Sequence, residues 1–190
     1  GRPFKTDIAV LRDKEGQPLD IVQTILEKKP AIVAFSAITG SHHAVIEANR
    51  KIKDAVPGIK TIIGGPYATF RPNLIREEPF DAVAIGEADE AWPELLDEWA
   101  AGRSGDVVKN ILTQGNHSQV LKFRVGLADD ASSRREREKL ESRGASWQMD
   151  PAHLRDRFVD LDSLPFMDRE LILGKTAFRH HSKRSIMAGR

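Results

Sequence analysis

The chain has 190 residues, 40% of them hydrophobic and 30% charged, which is the composition of a soluble folded domain with some chain to spare. A net charge of +1 gives no general electrostatic case for nucleic acid, and no apolar run approaches the ~20 residues of a membrane span. Without cysteine, disulfides, thiolate metal sites and iron–sulfur ligation are excluded within these residues.

In chain order, "TDIAVL" (6–11) reads as a short strand. "PLDIVQTILEKKP" (18–30) places Ile21, Val22, Ile25 and Leu26 on one helical face, and Pro30 stops it. "AIVAFS" (31–36) is a continuous apolar run, as for a strand covered on both faces. "SHHAVIEANRKIKDAVPG" (41–58) is an amphipathic helix with Val45, Ile46, Ala48 and Ile52 inward, closed by Pro57-Gly58. "KTIIGG" (60–65) is a buried strand, "RPNLIREEP" (71–79) a short helix and "DAVAIG" (81–86) another strand. "EADEAWPELLDEWAAG" (87–102) is a helix ending at Gly102, whose stripe of Trp92, Leu95, Leu96 and Trp99 reads as core or domain contact. Four βα repeats with short links predict an α/β fold, an open parallel sheet with helices on its faces.

The texture changes after residue 102. Residues 1–102 carry 12 basic and 16 acidic side chains, and residues 103–190 carry 17 and 12; the basic excess reads as solvated linker charge. "VVKNILTQG" and "SQVLKFRV" read as two short strands, a hairpin around Gly115-Asn116. "ADDASSRREREKLESRG" (128–144) is an exposed helix or an insert, and "FVDLDSLPFMDRELI" (158–172) an extended connector. The expected division is an α/β domain over 1–104 and an irregular linker over 105–190. The chain starts at Gly1 and stops at "SIMAGR", so a fragment of a longer protein is expected, cytoplasmic because no signal-peptide pattern opens it.

Right-handed crossovers bring the C-terminal ends of parallel strands to one edge, where ligands of such sheets bind. Three loops should meet there: Ser36-Ala37-Ile38-Thr39-Gly40-Ser41, Gly64-Gly65-Pro66-Tyr67-Ala68-Thr69-Phe70 and Gly86-Glu87-Ala88-Asp89-Glu90. Each pairs small residues with hydroxyls or carboxylates and leads toward a helix N-terminus. Glycine at 64 and 65 either clears the backbone for a bulky ligand or relieves strain where strand becomes loop. Glu87, Asp89 and Glu90 read as dipole-stabilising carboxylates rather than an acid–base pair.

"IVAFSAITGS", "TIIGGPYATFRP" and "FDAVAIGEADEAWPELL", in that order and spacing, resemble the cobalamin-binding domain of cobalamin-dependent radical S-adenosylmethionine enzymes. "FVDLDSLPFMDREL" and "RSIMAGR" resemble that family's connector to its radical barrel, which continues into a three-cysteine motif holding a [4Fe–4S] cluster. The resemblance covers most of 5–102 and 158–190. It implies a Rossmann-like fold that binds cobalamin, beside a barrel carrying the cluster and S-adenosylmethionine. Ser36, Ala37, Ile38, Thr39 and Gly40 would face the lower side of the cobalamin and its nucleotide tail. Gly64 and Gly65 would admit that tail, with Pro66, Tyr67, Ala68 and Thr69 beside it; Gly86, Glu87 and Ala88 would line the opposite wall. The implied reaction of the parent enzyme is methyl transfer, or cyclisation in a subset, with no catalytic residue in this chain.

Two departures from the pattern matter. The Asp-x-His-x-x-Gly motif that gives cobalt a histidine in methionine-synthase-like domains is absent, and "DPAHLRD" (150–156) has the wrong spacing. The strand and helix that usually precede "KTDIAVL" are also missing. His42, at the ligand edge, is a weak candidate for a cobalt ligand, and a cap or surface role is the commoner fate of such a residue. His180-His181 reads as solvated or docked on the barrel. Two other readings stand beside this one. The same fold could serve as a cobalamin-free docking domain. A receiver-type signalling domain would need a phospho-acceptor aspartate after a strand; "VLRD" offers Asp13, but no aspartate follows the 31–36 strand and no matching lysine loop is clear.

Overall fold

The computed structural model describes residues 4–9, 19–123, 147–156, 164 and 170–171. The order is α1 (Ile21–Lys28), β1 (Ile32–Ser36), α2 (His42–Ala55), β2 (Lys60–Gly64), α3 (Pro66–Phe70), α4 (Leu74–Glu77), β3 (Ala82–Ala84), α5 (Ala91–Ala100), β4 (Ile111–Thr113), α6 (His117–Val120), β5 (Leu121–Phe123) and β6 (Trp147–Met149). The main sheet runs β1-β2-β3-β4. The first three strands are parallel, with Ile32 opposite Lys60, Ser36 opposite Gly64 and Ile63 opposite Val83. β4 joins antiparallel, Ile111 opposite Ala84. The fold is thus α/β with a mostly parallel sheet and flanking helices, as the repeating pattern predicted.

Alternation along the strands divides the core. Ile63, Val83 and Leu112 face one way and pack with Val45, Leu74, Ile75 and Phe80. Ile62, Ala82, Ala84 and Ile111 face the other way, under Ala91 and Leu95 of α5, with Trp92 and Trp99 at the margin. α1 starts where the Asp20 carboxylate accepts the Gln23 N–H at 3.0 Å, and ends at Lys29 in a left-handed conformation just before Pro30. Its Ile21 and Ile25 are buried with Ala48 and Ile52 of α2. At the N-terminal edge of the sheet, the Asp81 carboxylate accepts from the Thr61 N–H at 2.7 Å and from Lys53 Nζ at 2.6 Å, joining β2, β3 and α2.

Several expectations are corrected. Residues 6–9 form no strand; they are largely exposed, with an Asp7–Lys28 ion pair at 2.5 Å, and residues 10–11 lie outside the described residues. β1 is not covered on both faces: Ala34 is exposed, because α5 packs over Ile62, Ala82, Ala84 and Ile111 and the sheet order puts β1 at the edge. The fourth strand is antiparallel and comes from the segment read as linker, so the sheet continues past residue 104. The anticipated hairpin around Gly115-Asn116 does not form. β4 enters the main sheet, while β5 pairs antiparallel with β6 in a separate ribbon. Leu121 and Met149 of that ribbon are buried in the main core, and Arg76 lies over the Trp147 ring at 4.9 Å. The short helix α3 was also unforeseen. The segments 128–144, 158–163 and 172–190, with His180-His181, lie outside the described residues.

Candidate functional site

The C-terminal ends of β1, β2 and β3 stand together at one edge, and hydrogen bonds weld their loops into one rim. Ala37, fully buried, donates its N–H to the Gly64 carbonyl at 3.0 Å and accepts the Tyr67 N–H at 3.0 Å. This joins the first loop to the second. Thr69 joins the second to the third: its hydroxyl donates to the Gly65 carbonyl at 3.1 Å and accepts the Gly86 N–H at 3.0 Å. The Glu87 carbonyl then accepts from Asn110 Nδ2 at 2.8 Å, and Ala88 packs beside the α5 core. All three predicted loops are therefore brought together.

The two adjacent glycines answer to different constraints. Gly65 has φ of +88°, and a Cβ there would stand 2.8 Å from the Ala37 carbonyl oxygen and 2.9 Å from Ser36 Oγ. Its need for glycine is thus met inside the protein, by the close approach of the first loop. A Cβ on Gly64 would meet only the Ala84 Cβ, at an ordinary 3.4 Å. Gly40 and Gly86 have φ of +103° and +71°, and a Cβ on either would meet nothing within 4 Å. These are the rim positions with open space beside the backbone.

Around that open backbone the rim shows apolar and aromatic surface. Ile38 is 58% exposed and Phe70 72% exposed. The half-buried Tyr67 and His42 rings stack with centroids 4.0 Å apart and 21° between planes, and His43 leans on His42 at 4.0 Å. Thr39 and Gly40 are exposed, and Pro66 opens α3. Small residues, open glycine backbone and exposed apolar side chains fit a large ligand with an apolar flat face.

His42 is tied locally. Its Nδ1 accepts the Gly40 N–H at 3.2 Å, so the neutral ring carries its proton on Nε2. Desolvation, the neighbouring His43 and the Arg71 guanidinium all lower its pKa, keeping the ring neutral. In that tautomer Nε2 is a donor, with no lone pair to offer a metal. Among the carboxylates, Glu90 pairs with Arg155 at 3.0 Å, and Arg155 also pairs with Glu94, so both act in an ion-pair network at the start of α5.

Asn110 was missed by sequence reasoning. It is 5% exposed, has φ of +66°, and bridges the third loop to residues 153–155. Its one local signal is an asparagine before the apolar pair Ile111-Leu112, since asparagine tolerates the left-handed conformation better than most residues.

An open α/β domain whose three strand-end loops are welded into one rim is the class these features define. Residues 5–96 match the B12 binding domain family. Over 86 residues the chain is 34% identical to an uncharacterized methyltransferase, PH0819, of Pyrococcus horikoshii, covering 44% of this chain and 19% of that protein. Over 93 residues it is 27% identical to the anaerobic magnesium-protoporphyrin IX monomethyl ester cyclase of Cereibacter sphaeroides, covering 48% of this chain and 15% of that one. The matched region thus spans less than a fifth of either relative. Among solved structures, the N-terminal domain of the hypothetical protein TM0182 of Thermotoga maritima is similar at 27% identity, 45% of this chain, 71% of that chain and a TM-score of 0.35. No helix among the described residues is long and apolar enough to cross a membrane.

Proposed function

We propose that this chain is the cobalamin-holding module of a radical S-adenosylmethionine enzyme, a methyltransferase or a cyclase. The barrel of that enzyme would carry the [4Fe–4S] cluster and S-adenosylmethionine. The observation that carries the reading is the welded rim: the three loops of the B12-binding match converge on one edge, with open glycine backbone at Gly40 and Gly86. The names of the two relatives, a methyltransferase and a porphyrin-ester cyclase, support the reaction class.

Ser36, Ala37, Ile38, Thr39 and Gly40 would hold one side of the cofactor. Gly64 and Gly65 with Pro66, Tyr67, Ala68 and Thr69 would floor it, and Gly86, Glu87 and Ala88 would hold the other side. When bound, cobalamin supplies a transferable methyl group or an equivalent cobalt-centred reactivity. The residues of this chain bind and orient it, exclude water from its covered face, and leave the reacting substrate to the barrel. His42 would stay off the cobalt, with Nδ1 held by the Gly40 N–H and its ring stacked on Tyr67.

The full chain is incubated with hydroxocobalamin and desalted, and its visible spectrum is recorded. Retained corrin absorbance at near one equivalent is expected, with the same cobalt spectrum for His42→Ala. A folded protein that retains none would overturn the reading in favour of a cofactor-free docking domain. A spectrum altered by His42→Ala would restore the histidine as a ligand.

A further inference from the structure

The third loop is clamped from two sides, and the outer clamp lies beyond the residues matched by the family. On the inner side Thr69 holds the Gly86 N–H. On the outer side Asn110 uses every polar group it has. Its N–H donates to the His153 carbonyl at 3.0 Å, and its carbonyl accepts the Ile85 N–H at 2.8 Å. Its Nδ2 donates to the Glu87 carbonyl at 2.8 Å, and its Oδ1 accepts the Arg155 N–H at 2.8 Å. A left-handed backbone costs a non-glycine residue roughly 1–2 kcal/mol, and asparagine least of all. Four hydrogen bonds on one buried residue compensate that strain.

The segment behind Asn110 is itself anchored. Arg155 pairs with Glu90 and Glu94 at the start of α5, Leu154 packs against the main core, and His153 Nε2 lies 3.3 Å from the Ile111 carbonyl. The clamp therefore joins α5, the start of β4 and the loop Gly86–Ala88. Gly86 has open space beside it and a positive φ, so its own backbone does little to fix the loop.

We propose that Asn110, backed by His153–Arg155, is a positioning residue for the cofactor edge: it sets the Gly86–Glu87 backbone, so that a segment outside the B12-binding match governs how tightly the edge holds its ligand. The proposal rests on the reading of this edge as the cobalamin site. Asn110→Asp tests it, because a carboxylate oxygen then faces the Glu87 carbonyl while the acceptor for Arg155 is kept. Asn116→Ala is the control. Asn116 is equally buried and bridges backbone groups at the far end of β4, through the Thr113 N–H and the Asp106 and Ile111 carbonyls.

Two measurements are made on the full chain: hydroxocobalamin affinity by spectral titration, and amide hydrogen exchange over residues 85–88 without cofactor. Asn110→Asp is expected to weaken affinity tenfold or more and to accelerate that exchange at least tenfold. Asn116→Ala is expected to lower stability while leaving both within about twofold. Unchanged affinity and exchange in Asn110→Asp, or equal losses in Asn116→Ala, overturn the proposal. If Asn110→Asp does not fold, Arg155→Gln takes its place; it keeps the backbone N–H and removes the pairs to Glu90 and Glu94. A smaller change in the same direction supports the clamp, and no change in either readout overturns it. Should the unmodified chain fail to retain hydroxocobalamin, the cobalamin reading falls, while the exchange data still decide whether Asn110 sets the loop.

Discussion

Gly64 and Gly65 are neighbours in the chain with opposite tolerances. Alanine at 65 would keep a positive φ at a cost of about 1–2 kcal/mol and push a methyl toward the Ala37 carbonyl oxygen. Gly65→Ala is therefore expected to lose about 2 kcal/mol or more in urea unfolding, and Gly64→Ala less than about 1 kcal/mol. The same contrast decides which glycine can probe the ligand. Tryptophan at 65 would break the loop junction whatever binds there, whereas at 64 a Cβ meets only the Ala84 side chain, so a Gly64→Trp protein that folds is expected to lose corrin retention. Retention undiminished in a folded Gly64→Trp protein would count against ligand contact at that glycine.

Among the elements, the junction of α2, β2 and β3 depends on one carboxylate. Burial of Asp81 favours its neutral form. The hydrogen bonds from Lys53 and the Thr61 N–H, with the charges of Lys53 and Lys60, outweigh that and hold its pKa below the ordinary 3.8. A carboxyl with a depressed folded pKa contributes stability that is present above its unfolded pKa and is lost as pH falls through the folded one. Asp81→Asn is thus expected to be less stable than the unmodified chain by about 1–2 kcal/mol at neutral pH, with the gap closing below about pH 4. A gap that stays constant from pH 7 to pH 3 would show that the charge contributes nothing.

The elements also show what could be read without coordinates. Long periodic or continuous apolar segments, such as 41–58 and 60–65, announced a helix and a strand, because burial on one face or on both leaves a repeat in the residues. The rim was legible for a similar reason, since small residues with hydroxyls or carboxylates followed the strands predicted at 31–36, 60–65 and 81–86. "ILT" gave no sign of its direction: three residues carry no period, and its antiparallel pairing is fixed by contacts with Val83 and Ala84 far away in sequence. Asn110 was hidden for the same reason, since its partners at 87, 153 and 155 are brought near only by the fold.

For the whole molecule, β4 makes the segment after residue 104 part of the fold's stability. Ile111 and Leu112 are fully buried, one on each side of the sheet. Removing both from a core costs on the order of 5 kcal/mol or more, comparable to the entire stability of many domains. Residues 1–104 alone are expected to lose cooperative thermal unfolding that the full chain retains, as followed by circular dichroism and calorimetry. A sharp two-state transition in the shorter piece would show that β4 is dispensable. The strand register has a consequence for what the edge can tolerate. Ser36 lies opposite Gly64, and the pairing of Ile63 with Val83 continues to set Gly64 level with Ala84. Three strand ends therefore finish at one height, as a ledge about 10 Å across at the usual strand spacing. One residue inserted within β2 would raise the middle of that ledge by about 3 Å and turn its inward side chains outward, while the same insertion in the exposed stretch 101–104 would leave the ledge level.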